Sequence, residues 1–516
     1  MKKLLLKRIF SLLICAALLM STAGCAGKTN SGATEASAAS EQNTRETETS
    51  GSPAAEPGTS GSEASETKPS ESEVSGTGSP APSVMTQQLV NPKMPQSPRH
   101  EKRDESGLKV VEKAQAGSEY ENVSEMLEAQ AEEYEKISRT LPDFYASTIG
   151  EILGNANGEN IVYSPVNVYL ALAMLAEISD GNSRAQILSL LGADSIEALR
   201  ETAKSLWHSN YCDDGLTVTT LANSLWLQQD FPYQEETGQR LADEYYASVY
   251  RGMMGSSELN QALQDWLNDN TGHLLEDSAG GVETKPDTIL ALASAIYFKA
   301  AWEKQFYEEQ TKKETLFYGT NGTYQCDYLV SNQDSAALFY GAHFTAYCRW
   351  MEDGNAMWFF LPEEVMSPEE LSKDSEFLKF LQSDPYEDLM DQAKYYTLHV
   401  EIPKFDVNSD LDLVKTLQAL GVTDVFSLEE ADFSQIFTDN TPAAVSEVQH
   451  SGRVKIDEEG CEAAAFTVIM LEKAMYAQQD KAEFILDRPF LFAVKGSSGA
   501  PLFTGIVNEP GKKLLK

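Results

Sequence analysis

The first apolar stretch of the chain covers residues 9–20, and only Ser11 interrupts it. Basic side chains precede this stretch, and the small residues 21–24 follow it. Signal peptides have an apolar core of this length between a basic and a small-residue segment, whereas a membrane-spanning helix needs about 20 apolar residues. The pattern therefore predicts an export signal over residues 1–24.

Cys25 follows these small residues directly, and the arrangement resembles a bacterial lipoprotein signal. In such a signal, cleavage before the cysteine leaves its thiol to accept a lipid. Thr22 stands where leucine is usual, so an ordinary secretory signal with an incidental cysteine is the alternative. Both interpretations predict export, and the first predicts a lipid on Cys25 that anchors the protein at the cell surface or envelope, facing outward.

A segment of low complexity follows the signal. Residues 26–83 contain no aromatic residue, leucine, isoleucine or methionine, and Val74 is their only large aliphatic side chain. Such a segment buries too little apolar area to offset the entropy of the chain, so it stays extended and solvated. Because this character fades by about residue 125, we expect a disordered tether over 25–125 and a folded domain over 126–516.

The folded part mixes helical and strand periodicities without strict alternation, which indicates the α+β class. Residues 161–163 are apolar and extended, and Ser164 and Pro165 then form the N-cap and first turn of a predicted helix. Further strands are predicted from β-branched and aromatic content at 217–227, 288–298, 396–402, 490–494 and 502–507, the last two as a hairpin.

The acidic residues are concentrated in the folded part of the chain. The 516 residues carry 79 acidic and 40 basic side chains, a net charge of −39. Residues 1–125 hold 16 acidic and 13 basic side chains, so −36 of the total belongs to the folded part. Such a surface repels nucleic acid and anionic lipid, and it argues against polyanionic cofactors of the heparin kind. It favours encounter with cationic proteins.

Motifs of catalysis and metal binding are scarce. The chain has no GxSxG, HExxH, Walker or CxxC motif, and its six histidines stand singly. We therefore expect no enzyme, metal or cofactor, because a hydrolase would need a nucleophile and base that the chain does not display. Beyond Cys15 and Cys25, four cysteines remain, and we expect free thiols at Cys212, Cys326, Cys348 and Cys461.

The segment 457–471 is unusual on physical grounds. As a strand it would place small and then aliphatic side chains on one face: Cys461, Ala463, Ala465, Thr467, Ile469 and Leu471. Its triple alanine also suits a helix, and Gly460 suits a hinge before either. A segment compatible with two states is what a conformational switch requires. An ordinary surface helix is the alternative.

Ten short segments resemble the serpin family, in the family's order, between about residues 141 and 510. Any one of them is weak, but the ordered series is highly specific. They are 160–165, 223–226, 295–299 with Trp302, 402–405, 420–426, 431–434, 446–448 with His450, 458–460, 487–492 and 503–505.

The resemblance implies one α+β domain of three β-sheets and eight or nine helices with an exposed reactive-centre loop. Family members act as suicide substrates of serine proteases, and sometimes of cysteine proteases. The protease cleaves the loop and becomes an acyl-enzyme, and the loop then inserts as a new strand and distorts the protease. The native fold is a kinetic trap in this scheme.

The resemblance identifies a hinge at the start of this loop. Its residues are Glu458, Glu459, Gly460, Cys461, Glu462, Ala463, Ala464 and Ala465, and they match the inhibitory members closely. Cys461 replaces the usual threonine or serine, and its small, readily buried side chain is a tolerated replacement. A sharper hypothesis is redox control, in which a bulky adduct on Cys461 converts the inhibitor into a substrate.

The resemblance also identifies a sheet-opening region. Ser164 and His450 match residues that hydrogen-bond there in the family. Asn167 stands where serine is usual and Ser294 where asparagine is usual, so the pair keeps one amide and one hydroxyl in a rearranged network.

The scissile bond follows from a count of about fourteen residues beyond Gly460, which the family implies. This count gives Ala474–Met475 and suits the shallow pocket of elastase-like proteases. Counting back from Pro489 points to about Gln478 instead, but an inserted strand determines the hinge-side length. Cleavage after Lys473 by trypsin-like enzymes, or after Met475 by chymotrypsin- or subtilisin-like ones, stays open.

The sequence thus predicts a monomeric, lipid-anchored inhibitor of extracellular serine proteases, with elastase-like enzymes favoured. The alternative is a non-inhibitory serpin that serves as a binding or structural protein at the envelope.

Overall fold

The computed structural model describes residues 86–101, 110–113, 118–273, 283–383, 389, 392–439, 442–461 and 480–514. They all belong to one compact unit, Pro80–Lys516. The predicted signal, Cys25 and the tether up to residue 85 lie outside the described residues. None of the helices in the described part is both long and apolar enough to span a membrane.

Ten α-helices lie in these residues, and α3 is the central one. Every residue of α3 except Ala171 is buried, and Ser164 caps its first turn by accepting from the Asn167 amide, as the sequence predicts. The helices are α1 (Val123–Ile137), α2 (Pro142–Leu153), α3 (Pro165–Ile178), α4 (Gly181–Leu191), α5 (Ile196–His208), α6 (Glu235–Tyr245), α7 (Ser257–Asn270), α8 (Pro368–Leu371), α9 (Ser375–Gln382) and α10 (Val414–Ala419).

The first sheet has the strand order β1-β7-β6-β8-β16, with β5 paired to β6. A separate pair, β14 and β15, lies beside it, and β15 contacts β8. The bounds are β1 (Gln87–Val90), β5 (Cys212–Asp213), β6 (Val218–Gln228), β7 (Ala247–Gly252), β8 (Leu290–Ala301), β14 (Asp406–Asp412), β15 (Gln449–Lys455) and β16 (Gly460–Cys461).

The second and third sheets share the long strand β10, which has an irregularity between Gln333 and Ala336. β10 pairs with β9 from Gly322 to Tyr328, with β13 from Tyr328 to Phe339, and with β11 from Leu338 to Tyr340. The whole order is β17-β13-β10-β11-β12-β18-β19-β4. The bounds are β4 (Ile161–Tyr163), β9 (Lys312–Gly319), β10 (Gly322–Tyr340), β11 (Phe344–Trp350), β12 (Ala356–Pro362), β13 (Ala393–Pro403), β17 (Lys481–Ile485), β18 (Phe490–Lys495) and β19 (Pro501–Val507). Short strands β2 (Arg99–Glu101) and β3 (Val110–Lys113) pair together, and β20 (Lys512–Lys513) pairs with β10.

The predicted fold class is confirmed: the chain has three sheets and about ten helices. The predicted strands correspond to β4, β6, β8, β13, β18 and β19, and the last two form the expected hairpin. No disulfide joins the four cysteines of the described part, in agreement with the thiols expected from the sequence.

The predicted tether ends earlier than residue 125. Residues 87–90 form β1, which pairs antiparallel with β7, and α1 begins at Val123. Leu89, Val90 and Met94 pack against the domain core, and this apolar area offsets the entropy of ordering the segment. The first sheet therefore has an edge strand that the low-complexity pattern concealed.

Candidate functional site

The hinge turns back on itself at the end of the segment that contains β15. The Asp457 carboxylate accepts hydrogen bonds from the amides of Glu459 (2.9 Å) and Gly460 (3.3 Å), which closes a tight turn. Gly460 and Cys461 then pair with Ala301 and Ala300 of β8 as the antiparallel strand β16. The start of the predicted reactive loop is thus already part of the first sheet.

Gly460 is required by this pairing. A Cβ atom added to Gly460 would lie 2.4 Å from the Ala300 carbonyl oxygen and 2.8 Å from the Ala301 Cα. Both neighbours are backbone atoms that no side-chain rotation can move. Only a residue without a Cβ atom permits this close backbone approach, so Gly460 allows the hinge to lie against β8.

Backbone hydrogen bonds hold the other hinge residues against the segment that follows β8. The amide of Trp302 donates to the Glu459 carbonyl at 2.9 Å, and the amide of Phe306 donates to the Glu458 carbonyl at 3.0 Å. The indole N–H of Trp302 donates to the Asp457 carbonyl at 2.9 Å. Trp302 and Phe306 are both buried, so this end of the loop is fixed.

Glu458 is also held through its side chain. Lys404 Nζ donates to Glu458 Oε2 at 2.7 Å, and the Thr311 hydroxyl donates to Oε1 at 2.8 Å. Partial burial alone would raise the pKa of Glu458, but the hydrogen bonds from Lys404 and Thr311 prevail and hold that pKa below its usual value. The Glu458 carboxylate is therefore ionised at neutral pH.

Replacing Lys404 by methionine is expected to lower the free energy of unfolding by about 2 kcal/mol, because Glu458 loses a charged partner at a mostly buried site. Urea denaturation measures the change. Lys313→Met is the matched control, since Lys313 pairs with Asp327 on the exposed surface and its loss is expected to change little. Equal losses in the two variants would show that the Glu458 contact has no special weight.

The rest of the predicted loop site lies outside the described residues. This holds for the hinge residues Glu462, Ala463, Ala464 and Ala465, and for Lys473, Ala474 and Met475 at the predicted scissile bond. The chain re-enters the structure at Asp480 and forms β17, which pairs parallel with β13. The loop is thus bounded by two strands in different sheets.

The four predicted sheet-opening residues gather around the first turn of α3. The Ser164 amide donates to His450 Nε2 at 3.0 Å, which connects α3 to β15. Asn167 Nδ2 donates to the Ser294 carbonyl at 3.2 Å, and the Ser294 hydroxyl donates to Asn167 Oδ1, which connects α3 to β8. The amide and hydroxyl of the rearranged pair are therefore in direct contact.

These side-chain contacts stand where a strand ladder between β8 and β15 would otherwise be. In the part of the chain that the structure describes, β8 has no strand pairing with β15. The first turn of α3 is bonded to both strands instead, through Asn167 on one side and Ser164 on the other. The sheet is thus parted on the side of β8 where β16 begins.

Asn223 belongs to this group, although sequence analysis did not single it out. It faces Ser294 across the β6–β8 ladder, is buried, and accepts from the Ser294 hydroxyl at 2.8 Å. The signal was present, because Asn223 begins the segment 223–226 that resembles the serpin family. Its role was missed because sequence does not reveal which residues face each other across two strands.

His450 is neutral in this environment. Burial holds the pKa of His450 at about 4, well below the usual value for histidine. The neutral ring agrees with its hydrogen bond, because Nε2 must carry a lone pair to accept from the Ser164 amide. The Tyr163 ring covers it edge-on, with ring centroids 5.5 Å apart.

A sequence profile described as serpin (serine protease inhibitor) matches residues 140–510. The chain belongs to the serpin family. Among its curated relatives, serine proteinase inhibitor A3K of Cavia porcellus is 28% identical over 388 residues, covering 73% of this chain and 90% of that protein. Glia-derived nexin of Mus musculus is 25% identical over 371 residues, covering 70% and 90% respectively.

Solved serpin structures share the fold. The native state of the thermophilic serpin tengpin has a TM-score of 0.64 and 26% identity, covering 73% of this serpin and 94% of that chain. Human thyroxine-binding globulin in complex with thyroxine has a TM-score of 0.62 and 21% identity, covering 73% and 99% respectively. Family membership and inhibitor relatives support serine protease inhibition as the general activity of this serpin.

Within the described residues, no group of three histidine, cysteine or acidic side chains is arranged to hold a metal ion. Burial raises the pKa of Cys326 to about 12 and raises those of Cys212 and Cys348 as well, so these thiols are poor nucleophiles.

Proposed function

We propose that this serpin is a suicide-substrate inhibitor of extracellular serine proteases, with elastase-like enzymes favoured as targets. The observation that carries the proposal is the position of β16. Gly460 and Cys461 already occupy the first two positions of an additional strand against β8, while β8 lacks a ladder with β15 in the described residues. An inserting loop would continue this pairing along β8.

In this reaction the protease supplies all of the catalytic groups. The serine hydroxyl of the protease attacks the carbonyl carbon of Ala474, and the bond to the Met475 nitrogen breaks. That nitrogen takes up a proton and leaves as a new N-terminus, and the Ala474 acyl group stays on the protease as an ester. The freed strand inserts before water hydrolyses this ester.

The side chains after Cys461 favour rapid insertion. Ala463 and Ala465 share a face with Cys461 in an extended strand, so this face meets the protein interior with small groups. Large or charged groups there would add a burial cost of several kcal/mol and slow insertion. Phe466 departs from the small residue of the family, but the alternation points it to the opposite face.

We propose that the N-terminal segment places the inhibitor at the cell surface. A lipid on Cys25 would hold the inhibitor at the cell surface, and residues 26–83 would act as a solvated spacer. The charge of −39 favours encounter with cationic proteases, an effect that weakens as salt increases. We propose that it acts as a monomer without a cofactor.

Incubation with an elastase tests the proposal. We expect a covalent complex that survives denaturant, and a released C-terminal peptide that begins at Met475. Trypsin and subtilisin assays run in parallel, since cleavage after Lys473 or Met475 would move the reactive bond. Cysteine proteases are tested in the same way. Cleavage by every enzyme without a complex would refute inhibition.

A non-inhibitory binding protein is the second candidate. It is favoured by Cys461 at a hinge position where threonine or serine is usual, and the fold is shared with thyroxine-binding globulin in complex with its ligand. Thermal denaturation after loop cleavage separates the two. An inserting serpin gains stability because the new strand completes the first sheet, whereas a non-inserting one does not.

A further inference from the structure

Strand β1 determines the end of the first sheet at which the N-terminal tether joins the domain. One row of paired residues crosses the sheet from β1 to the start of β8. Its members are Gln87, Arg251, Leu227 and Leu290. The hinge lies at the other end of β8, where Cys461 pairs with Ala300. Ten residues of β8 separate the two levels, which is about 34 Å in a strand. The tether and the hinge are therefore at opposite poles of the first sheet.

The segment after β1 holds this entry point in place. The Ser248 hydroxyl donates to Asn91 Oδ1 at 3.3 Å, directly after β1. The chain then runs toward the loop pole, where the Asp213 amide donates to Ser97 Oγ at 3.1 Å and Arg99 forms an ion pair with the Asp213 carboxylate at 2.6 Å. Asp213 belongs to β5, which pairs with the start of β6 at the loop pole. Contacts along the whole edge of the sheet thus determine where the tether enters.

Insertion would carry the cleaved end of the loop to the tether pole. The register in which Cys461 faces Ala300 would continue along β8 as the loop inserts. In this register Ala474 would face Asp287, just beyond Leu290, where β8 begins. Ala474 carries the ester to the protease in the proposed reaction, so the captured protease would end at the pole where β1 begins. Four strand spacings separate β1 from the inserted strand, which is about 19 Å and less than the width of a protease.

We propose that this serpin holds a captured protease between its domain and the membrane to which its tether is attached, and that the length of the tether provides the room. The inference rests on the proposed loop insertion. Residues 26–85 supply about 60 residues, and a solvated chain of that length spans about 43 Å on average. A protease of about 230 residues is about 45 Å across. The reactive loop faces away from the membrane, so a protease can reach it before the reaction.

Attachment to vesicles tests the proposal. The chain from Cys25 to Lys516 is coupled through Cys25 to phosphatidylcholine vesicles with maleimide headgroups, so the test does not depend on the natural lipid. The readout is the number of inhibitor molecules consumed for each protease inactivated. Removing residues 31–70 shortens the spacer to about 25 Å. On vesicles this deletion is expected to raise the number about fivefold, because the membrane obstructs the end of insertion and the ester has time to hydrolyse.

Three controls accompany the deletion. In solution it is expected to change the number by less than about twofold. On vesicles, a glycine–serine segment of equal length in place of residues 31–70 should restore the parent value. Cys25→Ser should stay unattached, which shows that the other thiols do not couple. Equal values on vesicles for the full and the shortened spacer would overturn the inference alone, whereas the absence of a complex in solution would refute the proposed inhibition and the inference with it.

Moving the attachment tests the pole itself. In a Cys25→Ser background, Gln87→Cys attaches the vesicle at the tether pole and Glu308→Cys attaches it at the loop pole. Both side chains are exposed, and Glu308 lies close to Thr311, which donates to Glu458 of the hinge. Attachment at 87 is expected to raise the number consumed and to leave the rate of loop cleavage within about twofold, whereas attachment at 308 should slow cleavage about fivefold. The reverse assignment, or the same effect from both positions, would overturn the proposal.

Discussion

Replacing Cys461 by arginine is expected to convert this serpin from an inhibitor into a substrate. Cys461 is 4% exposed and is the second residue of β16, where it pairs with Ala300. Residue 461 is already buried in β16 before cleavage, so a guanidinium there is expected to turn outward and detach β16 from β8, and insertion would then have to bury this charge. A burial cost of several kcal/mol slows insertion, and each 1.4 kcal/mol is a factor of about ten in rate.

The measurement is the number of inhibitor molecules consumed for each protease inactivated. We expect Cys461→Arg to raise this number about tenfold or more, with cleavage at the same bond and no stable complex. Cys461→Ser is the matched control, because it restores a residue usual at this position and should keep full inhibition. Inhibition by the arginine variant at the parent stoichiometry would mean that burial of residue 461 does not limit insertion. A bulky thiol adduct on Cys461 would act like arginine.

The helices and strands could be predicted from the sequence because the residue patterns that indicate them are local. Ser164 and Pro165 identify the start of α3, and β-branched and aromatic runs identify β6 and β8. The resemblance to serpins grouped Ser164, Asn167, Ser294 and His450. In the structure, hydrogen bonds connect Ser164 with His450 and Asn167 with Ser294.

Other features depend on relations between distant strands. The pairing of Gly460 with Ala301 joins residues far apart in sequence, and only the backbone approach explains why glycine is needed there. Asn223 acquires its role because Ser294 lies opposite it. β1 escaped prediction because four residues beside a low-complexity segment show too little periodicity.

Acidification is expected to destabilise this serpin through His450. The pKa of His450 is about 4 in the native state because of burial, whereas an unfolded histidine has a pKa of about 6.5. As pH falls below about 6.5, the unfolded state binds a proton that the native state does not. Stability therefore declines until about pH 4, and the difference in pKa corresponds to about 3 kcal/mol.

Urea denaturation of the parent and His450→Gln between pH 7 and pH 4 isolates this contribution. Carboxylates titrate in both proteins, but glutamine stays neutral, so the parent should lose about 3 kcal/mol more than the variant. Parallel profiles would show that His450 is not the titrating group. Protonated Nε2 cannot accept from the Ser164 amide, so acid also removes the contact between α3 and β15.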